Sequence, residues 1–102
     1  MIVANSQDRI NIGTPTAFGL SEAYPNPFNP TTSMTLSVAH PGQVSVQVYN
    51  IMGQVVATLA NGYMDASTYT LTWDASDVSS GLYIVRAEAL GTVSTQKLML
   101  LK

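Results

Sequence analysis

The chain predicts an all-β protein, an antiparallel β-sandwich of six or seven strands. Three observations carry this. Apolar and polar residues alternate with period two in several short runs. Turn-forming residues separate those runs at intervals of about ten to fifteen residues, the rhythm of a two-sheet sandwich. No segment sustains the 3.6-residue period of an amphipathic helix.

Size and composition agree with one self-sufficient domain. The 102 residues are 46% hydrophobic and only 10% charged, well under the typical ~25% charged of soluble domains. Such a chain is too apolar for disorder. The net charge of −2 and the lack of a Lys/Arg cluster argue against nucleic acid as a partner. With no cysteine there is neither a disulfide framework nor a thiol nucleophile. No apolar run approaches the ~18 residues of a membrane span. The start, Met1-Ile2-Val3-Ala4-Asn5-Ser6, lacks the basic and apolar regions of a signal peptide, so the chain is expected to be one piece of a larger protein.

Taken in order, residues 1–17 are polar, and the expectation is a linker or tether remnant. Ile10-Asn11-Ile12 is a short alternation that an edge strand would also show, broken by Gly13-Thr14-Pro15-Thr16. Phe18, Leu20 and Tyr24 alternate loosely and are expected to reach the core first. Tyr24-Pro25-Asn26-Pro27-Phe28-Asn29-Pro30-Thr31-Thr32 follows, with three prolines that remove backbone donors and push their predecessors toward extended geometry. It reads as a stiff break between tether and fold, holding the domain at a fixed angle to whatever precedes it.

Ser33–Val38 then alternates with Met34, Leu36 and Val38 on one face, and His40-Pro41-Gly42 marks a turn. Val44–Tyr49 alternates with Val44, Val46 and Val48 inward. Asn50-Ile51-Met52-Gly53 is a tight connection with Gly53 at a positive φ. Gln54–Ala60 is expected as a shorter strand ended by a turn at Asn61-Gly62, with residues 63–67 in a loop. Thr68–Trp73 places Tyr69, Leu71 and Trp73 on one face with threonines between. Residues 74–81 are a polar loop. Leu82–Glu88 begins apolar on both faces, as a central strand would. Leu90-Gly91-Thr92 makes a hairpin, and Val93–Leu101 closes the chain. The expected core is Trp73, Tyr83, Leu71, Val46, Val48 and Leu36.

Five of these stretches, in this order and spacing, form a recognisable set: Tyr24–Pro30, Val48–Gln54, Trp73-Asp74, Ser80-Gly81-Leu82-Tyr83 and Lys97–Lys102. Together they resemble the C-terminal sorting domain of the type IX (Por) secretion system, a family related to the immunoglobulin-like domain of flagellar hook-capping proteins. The resemblance covers about residues 20–102. It implies an immunoglobulin-like sandwich of about seven strands over residues 18–102. The implied function is a non-catalytic sorting signal, without cofactor, that directs a larger secreted protein through the outer-membrane translocon. The route runs through the periplasm, and the product is secreted or held at the cell surface. The implied partners are that translocon, a sortase-like cell-surface peptidase and a covalently linked upstream cargo. The long PNPFNPTT form occurs on extracellular glycoside hydrolases and proteases. By the same analogy the recognition residues are Pro25, Asn26, Pro27, Gly53, Gly81, Tyr83, Lys97 and Lys102. Two positions depart from the pattern: Asp65-Ala66-Ser67-Thr68 where relatives often have a glycine, and Val55 where they often have a charge.

The remaining chemistry is sparse. His40 is the only histidine and has no companions at ligand spacing. Asp74, Asp77 and Asp65 offer oxygen ligands of the kind calcium takes, but the simpler reading has Asp74 capping its own loop. No metal site is expected. A different class of function is a carbohydrate-binding or cell-attachment module, for which Tyr49 and Tyr63 are the candidate glycan contacts. On the last strand, inward Leu98 and Leu100 would leave Lys97, Met99 and Leu101 outward beside an open edge suited to β-augmentation. Deleting the last five residues is therefore expected to abolish export while leaving the domain nearly folded.

Overall fold

The computed structural model describes residues 17–102; the expectations on residues 1–16, including the Ile10–Ile12 alternation, lie outside the described residues. All regular structure among the described residues is strand: β1 Gly19–Leu20, β2 Thr31–Val38, β3 Gly42–Tyr49, β4 Val55–Met64, β5 Ser67–Asp74, β6 Gly81–Ala89 and β7 Thr92–Leu100. They form two sheets, ordered β1-β2-β5 and β4-β3-β6-β7, with every neighbouring pair antiparallel.

Neighbours in sequence part company between sheets. The chain crosses from β2 to β3 and from β5 to β6, so β2 lies beside β5 in one sheet while β3 lies beside β6 in the other. This Greek-key crossing is immunoglobulin-like, and so is a corner at the start of β6. There the Tyr83 hydroxyl donates to the Ser79 carbonyl at 2.6 Å, the tyrosine corner of such sandwiches.

The alternation in the sequence becomes the core. Met34, Leu36 and Val38 of β2 face Val44, Val46 and Val48 of β3, Val85 and Ala87 of β6 and Leu98 and Leu100 of β7 across the interior. β-Branched side chains pack well on such pleated surfaces. β6 is central, between β3 and β7, and its apolar first half is thereby accounted for.

Four expectations are corrected. Tyr24 does not reach the core; it is 83% exposed, because its main chain pairs with Ser33 in both directions and turns the ring out. Leu71 is only half-buried, near the edge of the smaller sheet. Asn61-Gly62 is not a turn but the middle of β4, opposite Ser45 and Val44. β3 begins as early as Gly42 and so offers β4 partners out to Met64. Gly62 accepts the φ of 148° that this path demands. β4 also bulges twice against β3, between Val46/Gln47 and between Val48/Tyr49, which blurs its alternation. The last correction concerns the proline segment. β1 already pairs with β2 before it, so the segment lies within the fold and not at its entry. Ala17 and Phe18 lie at the opposite pole with His40, Leu90 and Thr92.

Candidate functional site

The five sequence motifs meet at one pole of the sandwich. The proline segment runs along its edge, fastened at nearly every residue. The buried Thr32 hydroxyl donates to the Pro25 carbonyl at 2.7 Å, and Ala75 N–H to the Pro30 carbonyl at 2.8 Å. Pro25 and Pro27 themselves stay exposed.

Asn26 is the joint to the end of the chain. Its Nδ2 donates to the Lys97 carbonyl at 2.8 Å, and its Oδ1 accepts from Met99 N–H at 3.0 Å. Two residues on, Phe28 N–H donates to the Met99 carbonyl at 2.9 Å, and the Phe28 carbonyl accepts from Leu101 N–H at 3.0 Å. Phe28 thus forms a parallel bridge with Leu100. The Asn26 amide supplies one donor and one acceptor in the line a further strand residue would occupy. The side chain stands in for main chain while the backbone leaves to pair with β2. Half of the expected open edge of β7 is therefore closed.

The Phe28 ring, 2% exposed, is driven inward beneath this bridge. It packs on Trp73 with centroids 5.6 Å apart, and Trp73 meets Tyr83 edge-on at 5.2 Å. Three motifs are joined by one aromatic stack. Leu98 and Leu100 are fully buried, as expected of the inward face of β7. Their burial corrects the truncation forecast: removing residues 98–102 takes out two core side chains and the partner of Phe28, so the domain would not stay folded.

The β3–β4 connection is built around Asn50. Its Oδ1 accepts from Met52 N–H at 2.9 Å and Gln54 N–H at 3.0 Å, while Gly53, at φ 82°, returns an N–H to the Asn50 carbonyl at 3.0 Å. The loop holds Ile51 and Met52 out, 78% and 77% exposed. It shares a shallow groove with Ser79, Ser80, Gly81 and Tyr83. Lys102 closes the same pole, its N–H donating to Ser80 Oγ at 2.9 Å and its Nζ to the Ser76 carbonyl at 2.8 Å. Asp74 caps the neighbouring loop by accepting from the Ser76 amide and hydroxyl. The Ser76 hydroxyl and then its amide, with a smaller push from Lys102, hold the Asp74 carboxyl below the ordinary aspartate range.

Of the residues singled out in the sequence, Pro25, Asn26, Pro27, Gly53, Gly81 and Lys102 come together at this pole, and Lys97 lies exposed just below it on β7. Tyr83 is there too, but 6% exposed, and its ring belongs to the core. Tyr49 and Tyr63 do not form a platform. The Tyr49 hydroxyl is tied to Gln47 at 3.0 Å. Tyr63 is exposed opposite Gln43, six residues and so about 20 Å along β3 from Tyr49. Sequence reasoning passed over Phe28, Ile51 and Met52. Phe28 alone carried a signal, being the one large apolar side chain among prolines and asparagines.

A family model described as the secretion system C-terminal sorting domain matches residues 22–101. The chain belongs to that family. It is a C-terminal sorting signal for type IX secretion, of a family that is generally non-catalytic, and it serves export to the exterior or the cell surface. No curated protein matches the chain. Among the described residues, no helix is long and apolar enough to cross a membrane, and no cluster of three potential metal ligands occurs.

Proposed function

We propose that the pole carrying the five motifs is the surface the type IX outer-membrane translocon reads, and that this sorting domain performs no catalysis of its own. The cargo joins at the other pole, passes through the periplasm and across the outer membrane, and is parted from the domain by a sortase-like cell-surface peptidase. The observation that carries this reading is convergence. Residues spread from Pro25 to Lys102 are built into one end, and that end displays Ile51 and Met52 with Leu101 also exposed. A soluble domain seldom presents apolar side chains on a rigid loop without a partner. Lys102 adds positive charge beside them.

The direct test is photocrosslinking in cells with a working type IX system. A benzoylphenylalanine at position 52 is expected to capture the outer-membrane translocon, and one at position 63, near the opposite pole, is not. Equal capture from both positions, or capture from position 63 alone, would overturn the assignment.

A further inference from the structure

The outward face of the larger sheet is divided in two. Directly opposed residues form rows across its four strands. Thr58, Gln47, Arg86 and Thr95 make one row, and Asn61, Ser45, Glu88 and Val93 make the next. These rows are polar apart from Val93, and the Arg86–Glu88 ion pair at 3.0 Å ties one to the other. One step toward the motif pole the row is Val55, Tyr49, Ile84 and Lys97, and beyond it Leu82 faces Met99. Strand alternation turns these side chains outward, since Val48, Tyr83, Val85 and Leu98 fill the interior. Val55 and Met99 are 48% and 37% exposed, and Tyr49, Leu82 and Ile84 are half-buried. The longer row spans three strand spacings, about 14 Å. The apolar block runs on into the tip of the pole. Leu82 lines the groove shared with Ile51 and Met52, and the exposed Leu101 follows two residues after Met99. Lys97 ends the row at β7, and among the described residues no carboxylate pairs with it.

We propose that this half of the sheet face is a docking platform for the type IX outer-membrane translocon, which meets it with an apolar centre and a carboxylate set against Lys97. The proposal rests on the reading of the motif pole given above and extends it from the tip loop onto the outward face of β3, β4, β6 and β7. Three observations support this occupant. The platform is continuous with Ile51 and Met52, so one partner surface covers both. Its make-up is that of an interface, with tyrosine, methionine and aliphatic side chains at the centre and the lysine at the rim. The same strands keep the far half of the face polar, so strand propensity alone does not account for the apolar half, and a contiguous apolar patch of this kind marks an interaction site. β3 and β6 are the central strands of the sheet, each paired on both sides, so the platform is held in shape before its partner arrives. Little ordering is then lost on binding.

The test is export of a reporter fused ahead of residues 1–102, with V55S/M99S, K97E and I51S/M52S compared in parallel and T58A/N61A, in the polar half, as the control. Lys97 is exposed, so K97E carries the test even where V55S/M99S lowers the thermal midpoint of the domain. The expected result is a fall in released reporter of about tenfold or more for V55S/M99S and a smaller fall for K97E, with T58A/N61A at the wild-type level. Wild-type release of both V55S/M99S and K97E while I51S/M52S is retained would overturn the platform and leave the tip loop as the site. Wild-type release of all three would overturn the reading of the pole as well. Two measurements on the purified chain exclude other occupants. Sedimentation showing a dimer that V55S/M99S abolishes would assign the face to a second copy. Binding to vesicles of phosphatidylethanolamine and phosphatidylglycerol, lost in V55S/M99S and K97E, would assign it to lipid. Either result would overturn the proposal.

Discussion

Replacing Asn26 by alanine tests whether the proline segment and the final strand are one unit. The substitution removes two hydrogen bonds, 2.8 Å to the Lys97 carbonyl and 3.0 Å to the Met99 amide, that span 71 and 73 residues of sequence. A hydrogen bond contributes about 0.5–1.5 kcal/mol net. Asn26 is exposed, so water can reach both orphaned groups and the full desolvation penalty is avoided. The expected loss is therefore about 1–2 kcal/mol. In a domain of this size that lowers the thermal midpoint by roughly 5–12 °C. Urea unfolding gives the free energy, and hydrogen exchange gives the site: Met99 N–H should lose protection before the amides of β3. N26D sharpens the test. The carboxylate keeps an acceptor for Met99 N–H but sets a negative charge against the Lys97 carbonyl. Only a protonated acid could donate there, so the ionised side chain loses the bond to the Lys97 carbonyl. At neutral pH N26D should therefore be less stable than wild type by urea unfolding, while Met99 N–H keeps its protection. A loss under about 0.5 kcal/mol in N26A, with Met99 protection unchanged, would refute the coupling.

Other substitutions probe neighbouring parts. Phe28→Ala and Trp73→Ala each open the aromatic stack and should cost about 3–5 kcal/mol in urea unfolding, far more than an exposed position in a proline-rich loop would. Tyr83→Phe removes only the hydroxyl bonded to Ser79 and should cost about 1 kcal/mol by the same assay. Leu90, at φ 51° in the two-residue β6–β7 turn, occupies a conformation asparagine tolerates better, so Leu90→Asn should raise the thermal midpoint. Asp74, with its carboxyl lowered from 3.8 in the folded state, supports the fold above that value and ceases to as pH falls through the lowered one. D74N should therefore flatten the acid limb of the stability profile.

What the sequence shows and what it hides follow from the range of each interaction. Strands β2, β3 and β6 were legible because their alternation is local and their inward residues are all buried. β4 was half legible. Its bulges break the period, and Asn61-Gly62 carries a turn signal that pairing with an early-starting β3 overrides. Asn26 as a stand-in for strand backbone was hidden, because its partners lie more than seventy residues away. The same distance concealed that Phe28 packs on Trp73. Ile51 and Met52 read as part of a connection, and only the hydrogen-bonded frame of Asn50 makes clear that they are held outward. The motif order pointed to the family. It did not reveal that the motifs share one pole, away from the start of β1.

The measurement closest to the central claim is export of a reporter fused ahead of residues 1–102 in a type IX-competent bacterium, comparing the wild-type domain with I51S/M52S. Both side chains are exposed, so the thermal midpoint of the isolated domain should move by no more than about 2 °C. The account predicts that the reporter nevertheless accumulates in the periplasm. Release of the I51S/M52S reporter at the wild-type level, with the domain folded, would contradict it.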